Sequence, residues 1–351
     1  MNVSNNFFPY AGCRILVIGK NMIPDSMEYH VVETLRSMRC VVQGINNNGI
    51  DLKSIRTMSF SSQLLDRLMR EPERRGERQL LNAIAAFQPE LTLVIQGNQL
   101  SPKSIAQLRR VTSSPVICWC QDAISSYGRQ YVIGAEYDAI FVKDNYLQNL
   151  FSQTIRSTVF HYLPEACNPL VHRTVELSGR DRQRLTCDVL MLGSLYYYRQ
   201  EILRQLGQYD LRIYGARPRW LLDRLARYHR GSGLVMDRKA QAVQAARVSL
   251  NTLHCAEIDA LNCRAFELAG CGGFQIIDCR PVLRQHFEPG VEIETFSTIE
   301  ELKEKIDFYL ANPDAARQIA RRGQQRAHRD HTYTQRLSVM LGQFIKGRVH
   351  G

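Results

Sequence analysis

Residues 259–278 read DALNCRAFELAGCGGFQIID, and this stretch decides how the rest of the chain is interpreted. An apolar run at residues 248–253 precedes it, and a second apolar run at residues 274–277 closes it. Between them, residues 262–269 favour a helix, which the glycines that follow would end. The order strand, loop, helix, strand is the unit of a parallel α/β sheet.

The loop before this predicted helix has the features of an anion site. Leu261, Asn262 and Cys263 would present free backbone N–H groups at the helix N-terminus, which carries about half a positive charge and suits a phosphate. Further along the same helix, Glu267 could accept hydrogen bonds from sugar hydroxyls. Phosphate at the amides and ribose at the carboxylate describe a site for a nucleoside diphosphate.

The same stretch resembles a known family. Its motifs N-x-R-x-F-E and A-x-C-G are those of CgeB-type (spore-maturation-protein-like) glycosyltransferases, and they fall here at residues 262–267 and 269–272. The resemblance covers about residues 187–340 and is looser before them. The pattern continues in order at residues 287–290 (FEPG), 300–302 (EEL) and 331–333 (HTY).

This resemblance implies a GT-B fold, in which two Rossmann-like domains face each other across a cleft and a C-terminal helix returns to the N-terminal domain. The donor domain would be similar to those of glycosyltransferase families 1 and 4. We therefore expect an acceptor domain over residues 1–175, a nucleotide-sugar donor domain over residues 187–332, and the returning helix over residues 333–351. Residues 176–186, which are polar and basic, would be the linker.

Length and composition fit this expectation. The chain has 351 residues, of which 44% are hydrophobic and 23% are charged, as in folded globular proteins with two domains. We find no apolar run of transmembrane length, and the first residues lack the basic and apolar regions of a signal peptide. A cytoplasmic location is therefore expected.

The net charge of +11 is spread over the chain. Residues 1–175 carry 18 Lys and Arg against 14 Asp and Glu, and residues 176–351 carry 27 against 20. No nucleic-acid-binding motif accompanies this excess, which we interpret as a basic surface around an anion-binding cleft. Residues 315–329, with five arginines, predict an amphipathic helix that leaves peripheral contact with an anionic membrane open.

Ten cysteines raise the question of disulfides or a metal. None forms a C-x-x-C pair, and several lie in apolar runs. Cys255, Cys263, Cys271 and Cys279 recur every eight residues, an interval that crosses different predicted elements. We predict buried free thiols rather than a metal site.

Two series of strands alternating with helices support two Rossmann-like domains. In the first series, strands are predicted at 15–18, 91–95, 116–120, 139–142 and 158–163, and helices at 27–38, 61–87 and 101–110. In the second, strands are predicted at 188–192, 211–214, 248–253, 274–277 and 291–296, and helices at 200–207, 218–228, 239–246, 299–310, 315–329 and 333–345.

Two residues of the first series are candidates for the acceptor side. Gly19 ends the first strand, where it lets the backbone approach a ligand or only forms a tight turn. Asp122 follows the strand at 116–120, at the edge where open α/β sheets bind ligands. It could position or deprotonate an acceptor hydroxyl, or cap the next turn.

The resemblance assigns further donor contacts. Gly193 ends the first strand of the second series, and Arg199 would neutralise the diphosphate, which a guanidinium can grip with two parallel hydrogen bonds. Arg264 would add a second positive charge or form a structural salt bridge. Tyr214 and Met236 fall where the family binds the base through backbone groups, so the base stays open.

Other residues near the predicted site have two interpretations. The family is similar to retaining GT-B transferases with an E-x7-E pair, which would be Asp259 and Glu267 here. Tyr196, Tyr197 and Tyr198 could stack a base or a sugar, or pack within the domain. His254 follows a strand near the proposed site but a lone histidine is more often structural.

Together these residues predict a glycosyltransferase that uses a UDP-, dTDP- or GDP-linked sugar. Arg199, Arg264 and the helix N-terminus would stabilise the departing diphosphate, with Asp122, Glu267 and Arg199 as the catalytic set. We expect no metal and no other cofactor, because no D-x-D triplet follows a predicted strand. The acceptor stays open among a polysaccharide, a lipid-linked glycan, a protein and a nucleic acid. The alternatives are a sugar-nucleotide epimerase of the same architecture and a non-catalytic basic protein that binds nucleic acid or an anionic polymer.

Overall fold

The computed structural model describes residues 9–20, 22–46, 76–98, 100–126, 130–221 and 223–345. The chain divides into two compact units. The first consists of Met1–Pro164 with Tyr333–Gly351, and the second of Glu165–Thr332. Each unit has its own six-stranded parallel β-sheet with helices, which confirms the predicted α/β class.

The sheet of the first unit follows the order β2-β1-β3-β4-β5-β6. Its third and fourth strands are buried along their whole length, as expected for apolar runs inside a parallel sheet. The strand order reverses between the first and third strands, so their carboxyl ends form the switch point at which such sheets bind ligands. The strands are β1 (Arg14–Gly19), β2 (Val41–Asn46), β3 (Leu91–Ile95), β4 (Val116–Cys120), β5 (Ala139–Val142) and β6 (Val159–Tyr162).

Three helices of the first unit begin at polar caps. The side chains of Ser26, Ser101 and Asp144 each accept a hydrogen bond from a backbone N–H three residues further on. Of the helix predicted over 61–87, residues 76–87 are helical, and residues 61–75 lie outside the described part. The helices are α1 (Met27–Ser37), α2 (76–87), α3 (Pro102–Val111), α4 (Tyr131–Gly134) and α5 (Asn145–Thr154).

The sheet of the second unit follows the order β12-β11-β10-β7-β8-β9, again with parallel neighbours. Its switch point lies between the seventh and tenth strands, which pair directly. The strands are β7 (Cys187–Leu192), β8 (Leu211–Tyr214), β9 (His229–Gly231), β10 (Ala246–Asn251), β11 (Gln275–Asp278) and β12 (Glu294–Phe296).

The helices of the second unit connect these strands, and apolar clusters fill both sides of the sheet. None of the helices in the described ranges is both long and apolar enough to cross a membrane. The helices are α6 (Gly179–Leu185), α7 (Tyr197–Leu203), α8 (Asp223–Ala226), α9 (Met236–Ala245), α10 (Cys263–Gly270), α11 (Leu283–His286), α12 (Ile299–Ala311) and α13 (Pro313–Asp330).

The last helix, α14 (Tyr333–Phe344), belongs to the first unit, as the returning helix was predicted to do. It packs against α1, where the Tyr333 ring stacks on His30 with 5.2 Å between ring centroids. His30 is in turn held by Asp25, whose carboxylate lies 3.0 Å from its Nε2. The Arg336 Nε donates to the Pro164 carbonyl at 3.1 Å, which ties this helix to the end of the first unit's main segment.

The structure also differs from the predicted elements. The stretch 176–186, which we predicted to be a linker, contains α6, and this helix packs on α9 within the second unit. Strands β2 and β9 lie at sheet edges and escaped prediction. The first contains a glycine and has only one buried position among its six residues, and the second has only three residues, so neither shows the buried apolar run of a central strand.

Candidate functional site

Two loops meet at the switch point of the second sheet because β7 and β10 are neighbours. Gly193 and Ser194 follow β7, and Thr252 follows β10. Helix α10 begins shortly afterwards, at Cys263. Open α/β sheets bind ligands at such a carboxyl edge, which makes it the candidate site of the second unit.

Arg199, in the first turn of α7, joins these two loops. Its Nε donates to the Thr252 hydroxyl at 2.6 Å, and one terminal nitrogen donates to the Ser194 carbonyl at 2.5 Å. The other terminal nitrogen donates to the Thr252 carbonyl at 2.5 Å and to the Tyr196 hydroxyl at 2.8 Å. Burial lowers the pKa of Arg199 to about 9, and the nearby charge of Arg264 acts in the same direction. Because this pKa still lies above neutral pH, Arg199 stays cationic there.

This setting corrects the geometry that we predicted for Arg199. Four of the five N–H donors of its guanidinium are used within the protein, and the side chain is fully buried. It therefore cannot grip a diphosphate with two parallel hydrogen bonds. Arg199 instead fixes the loops after β7 and β10 and adds positive charge behind them.

Arg264, in the first turn of α10, lies directly against Gly193. A Cβ atom at Gly193 would come 2.5 Å from a terminal nitrogen of Arg264, and the φ of 108° at Gly193 also favours glycine. The Arg264 Nε is buried and has no hydrogen-bond partner among the described residues. A guanidinium with an unused donor at this edge favours the role of a second positive charge over that of a structural salt bridge.

The N-terminus of α10 is capped by a side chain. The Asn262 Oδ1 accepts a hydrogen bond from the Ala265 amide at 3.1 Å. Asn262 and Asn251 also exchange two side-chain hydrogen bonds, of 3.0 and 2.9 Å, which attach the cap to the end of β10. The Asn262 side chain therefore has a structural role as the cap, and the amides of Cys263 and Arg264 lie in the first helical turn.

Glu267 lies further along α10, and its carboxylate is buried and paired. The Lys239 Nζ donates to its Oε2 at 2.9 Å, and the His172 Nε2 lies 3.9 Å from its Oε1. Sequence reasoning missed both partners because Lys239 comes from α9 and His172 from a loop almost a hundred residues earlier. The carboxylate thus has a fixed orientation on the same helix as Arg264.

The loop between β10 and α10 contains two acidic residues with different surroundings. Asp259, the expected first member of the E-x7-E pair, accepts a hydrogen bond from the Val282 amide at 2.9 Å. Glu257 is buried, and its Oε2 accepts a hydrogen bond from the His254 amide at 3.1 Å. Burial and then the charge of Arg264 lower the pKa of Arg199, whereas Tyr196, Glu257 and Asp278 act in the opposite direction.

The backbone around Tyr214, where the base was predicted to bind, is tightly packed. The Gly193 amide donates to the Tyr214 carbonyl at 2.9 Å. A Cβ atom at Gly215 would lie 2.1 Å from the Gly193 carbonyl oxygen, so only glycine fits there. Met236, at the start of α9, has a φ of 53°, a left-handed conformation that costs a non-glycine residue roughly 1–3 kcal/mol. Such strain concentrates at ligand sites, which is consistent with the predicted role of this segment.

The tyrosine run and the histidines are mainly structural. The Tyr196 ring centroid lies 4.4 Å from the Arg199 Cζ and 4.6 Å from the centroid of the His254 ring. Tyr197 is exposed and stacks on Trp220 at 4.7 Å between centroids. The His254 Nδ1 accepts a hydrogen bond from the Ala256 amide at 3.1 Å, which gives that histidine a turn-forming role.

In the first unit, Asp122 follows β4 as predicted. The Gln96 Nε2 donates to its Oδ2 at 2.9 Å. Gln96 and Gly97 have φ values of 70° and 69°, so β3 ends in two successive left-handed residues. Asn98, which follows, is buried, and its Oδ1 has no hydrogen-bond partner among the described residues. Gly19 packs on Glu28, whose Cγ would lie 2.3 Å from an added Cβ, so close packing alone explains that glycine.

The ten cysteines, which all lie in the described ranges, form no disulfide, and the prediction that they are buried holds for only part of them. Seven are buried, and the four that recur every eight residues have different environments. Cys271 is buried, Cys263 is partly exposed, and Cys255 and Cys279 are exposed. The regular interval therefore does not bring equivalent side chains together.

Comparisons with known proteins agree with this geometry. Residues 199–342 match the sequence profile of a family described as glycosyl transferase-like. This segment begins at Arg199, includes α10, and ends within α14. A comparison with curated protein sequences gives no match.

Several solved structures share the fold over nearly the whole chain. Sucrose-phosphate synthase from Thermosynechococcus elongatus has a TM-score of 0.69 at 14% identity, covering 94% of this chain and 98% of that one. Anabaena HepE in complex with UDP and glucose has a TM-score of 0.66 at 14% identity, covering 94% and 100%. A glycosyltransferase from Rickettsia africae has a TM-score of 0.62 at 10% identity, covering 97% and 100%. The chain therefore has the GT-B fold, and with its glycosyl transferase-like segment it is an enzyme of the glycosyltransferase type.

Proposed function

We propose that the protein is a cytoplasmic, metal-independent glycosyltransferase of the CgeB type that moves a sugar from a nucleoside-diphosphate donor to an acceptor hydroxyl. The donor binds at the carboxyl edge of the second sheet. The first-turn amides of α10 and Arg264 hold the diphosphate, and Glu267 accepts hydrogen bonds from the ribose. The binding of UDP and of UDP-glucose by HepE, whose fold is similar, supports a nucleotide-sugar donor.

The observation that carries this proposal is the pair of arginines beside a helix N-terminus. Besides burial, the charge of Arg264 lowers the pKa of Arg199, so the two guanidinium groups repel each other across the loop after β7. The positive end of the α10 dipole lies at the same edge. Positive groups that repel one another make a site suited to an anion. A bound diphosphate would offset the repulsion between the two guanidinium groups.

These residues would also supply the main catalytic effect. Negative charge grows on the diphosphate as the bond to the sugar breaks, and preorganised positive groups stabilise that transition state. In this proposal Arg264 and the α10 amides do so directly. Arg199 acts through the loops that it fixes and through its charge.

On the acceptor side we propose Asp122, on the first unit, as the residue that positions or deprotonates the hydroxyl. The Gln96 amide holds one carboxylate oxygen at 2.9 Å, which fixes the orientation of the side chain. Because that amide sits on a left-handed backbone, the arrangement has the strain expected of a functional residue. The chemical class of the acceptor beyond its hydroxyl stays open, and contact with an anionic membrane through α13 stays a proposal.

The direct test is release of nucleoside diphosphate from UDP-, GDP- and dTDP-sugars, measured with EDTA and with added manganese. We expect turnover of one donor that EDTA leaves unchanged, and a loss of about 10- to 100-fold in donor affinity or rate for Glu267→Ala, the effect of charge-assisted hydrogen bonds worth 1.5–3 kcal/mol. Lys103→Met, which changes an exposed lysine of the first unit, serves as control.

Other outcomes would select the other functions. Activity that vanishes in EDTA and returns with manganese would show a metal-dependent enzyme. Isomerised donor without transfer would identify an epimerase. Steeply salt-dependent binding of nucleic acid without any nucleotide-sugar binding would identify a basic binding protein.

A further inference from the structure

Glu267 belongs to a buried cluster of three titratable side chains, in which two others lie beside its carboxylate. Lys239 on α9 donates to its Oε2 at 2.9 Å, and His172 lies 3.9 Å from its Oε1. The Lys239 Nζ and the His172 Nε2 are 3.5 Å apart. The exposed fractions of Lys239, Glu267 and His172 are only 8%, 6% and 0%.

The orientation of His172 is fixed by its backbone and its ring. The Asn168 amide donates to the His172 Nδ1 at 3.0 Å, so in the neutral ring the proton is on Nε2, which faces Glu267. The His172 amide donates to the Asn168 carbonyl at 2.6 Å, and the His172 carbonyl contacts the His328 Nε2 at 2.8 Å. The ring therefore has little freedom to turn away from the carboxylate.

Lys239 compensates the buried charge of Glu267. Its Nζ donates to the Glu267 Oε2 at 2.9 Å, so a positive group faces the carboxylate. A buried carboxylate without such a partner would be strongly unfavourable. A carboxylate offers about four lone-pair sites, so contacts from a lysine and a histidine are compatible with further hydrogen bonds from a diol.

We propose that Lys239 and His172 are positioning residues of the donor site, which hold Glu267 in the orientation that accepts hydrogen bonds from the ribose 2′- and 3′-hydroxyls. This inference rests on the proposed function and narrows it. A fixed, ionised carboxylate binds a ribose with both hydroxyls more tightly than a sugar that lacks one of them. The protein therefore selects ribonucleoside over 2′-deoxyribonucleoside donors. UDP- and GDP-linked sugars then fit the site, whereas dTDP-linked sugars, which lack the 2′-hydroxyl, do not.

The test compares the affinity for UDP and GDP with that for their 2′,3′-dideoxy analogues, by titration calorimetry on the full chain. For the wild type we expect a 10- to 100-fold preference for the ribonucleotide that binds, which corresponds to the loss of charge-assisted hydrogen bonds. Lys239→Met should lose most of this preference while its affinity for the dideoxy analogue stays within about threefold. Lys239→Arg should recover part of the preference, because it restores the charge.

Two further variants separate positioning from folding. Lys239→Met leaves a buried carboxylate unpaired and is expected to be less stable, so Lys239→Met with Glu267→Gln, which removes both charges, is measured in parallel. If Lys239 acts through Glu267, the double variant should show the same ribose preference as Glu267→Gln alone. Lys103→Met should leave the preference unchanged.

The outcomes also distinguish the two levels of the proposal. A wild type that binds no nucleoside diphosphate would overturn the proposed function and this inference with it. A wild type that prefers the ribonucleotide, with Lys239→Met retaining that preference, would overturn the role of Lys239 alone. Equal affinity of the wild type for ribo- and dideoxy forms would overturn the assignment of Glu267 to the ribose while leaving a diphosphate site in place.

Discussion

At the scale of single residues, the site depends on contacts that leave no room for a methyl group. Gly193 must be glycine because the Arg264 side chain lies against it. Gly215 must be glycine because the Gly193 carbonyl lies against it. These two positions bring the backbone after β7 and β8 close to a cationic side chain. The arrangement keeps Arg264 at the edge of the sheet, where a diphosphate would reach it.

Gly193→Ala should therefore weaken diphosphate binding. The new Cβ would lie 2.5 Å from the Arg264 guanidinium, which must move, and the φ of 108° adds backbone strain. We expect a loss of roughly 10- to 100-fold in affinity, as for a lost charge-assisted hydrogen bond. Titration of both proteins with UDP and GDP measures this loss of affinity. The matched control is Gly233→Ala, whose Cβ would meet open space. Unchanged affinity in Gly193→Ala would argue against Arg264 as a donor contact.

Arg199→Lys and Arg264→Lys should have different effects. Lysine keeps the charge but cannot replace the planar set of donors that Arg199 uses for Ser194, Tyr196 and Thr252. We expect Arg199→Lys to lower the free energy of unfolding by about 1–3 kcal/mol, because buried carbonyls lose their donors. Arg264→Lys should chiefly lower donor affinity. Urea unfolding measures the stability of both variants, and titration with nucleoside diphosphates measures their donor affinity. If Arg199→Lys kept full stability but lost turnover, Arg199 would instead contact the donor directly.

The sequence identified these residues better than it identified their roles. Arg264 and Glu267 belong to one motif on one helix, whose spacing can be read directly, and Arg199 was implied by the family resemblance. Lys239 and His172 cannot be read in this way, because their contact with Glu267 depends on how separate segments meet in the fold.

At the scale of elements, apolar runs predicted the central strands and the long helices well. Strands β3, β4, β5 and β8 and helix α12 match closely because burial on both faces, or periodic burial, leaves a clear pattern. The short edge strands β2 and β9 do not show it. The polar helix α6 resembles a linker in composition, and only its packing on α9 shows otherwise.

Lys305 on α12 stabilises the edge of the second sheet. It donates to the Glu294 Oε1 at 2.9 Å, and the Glu301 Oε1 lies at 2.8 Å. Since Glu294 is buried, we expect Lys305→Met to lower the free energy of unfolding by about 1–3 kcal/mol in urea titrations. Arg317→Met, which breaks a highly exposed ion pair, should change it by less than about 0.5 kcal/mol.

The effect of Lys305→Met should depend on pH. The hydrogen bond from Lys305, with backbone N–H groups, lowers the pKa of Glu301 below its ordinary value of 4.5. A carboxylate with a lowered folded-state pKa contributes stability above its unfolded value and loses it as the pH falls through the folded value. The difference from wild type should therefore be full at neutral pH and shrink as the pH falls through the lowered pKa of Glu301. A difference that grows on acidification would contradict this assignment.

At the scale of the whole molecule, the chain leaves the first unit, forms the second, and returns. Helix α14 comes from the end of the sequence yet belongs to the first unit. Its periodic apolar face could be read from the sequence, whereas its return to the first unit was implied by the family resemblance alone. We therefore expect the first unit to depend on α14 for its stability.

Leu337→Ala tests this dependence. Leu337 is fully buried on α14, so its truncation should cost about 2–5 kcal/mol in the free energy of unfolding. Val339→Ala, on the exposed side of the same helix, should cost far less. Chemical unfolding followed by circular dichroism measures both. Equal, small effects would mean that α14 contributes little to the first unit.

The central claim is that the carboxyl edge of the second sheet binds a nucleoside diphosphate. The most direct measurement is a thermal-shift panel of UDP, GDP, ADP, CDP and dTDP on the wild type and on Glu267→Ala. A ligand at 100 times its Kd stabilises the native state by about 2.7 kcal/mol, which is readily detected. We predict that one ribonucleoside diphosphate shifts the wild type strongly and Glu267→Ala weakly. No shift from any of them, or equal shifts in both proteins, would contradict the account.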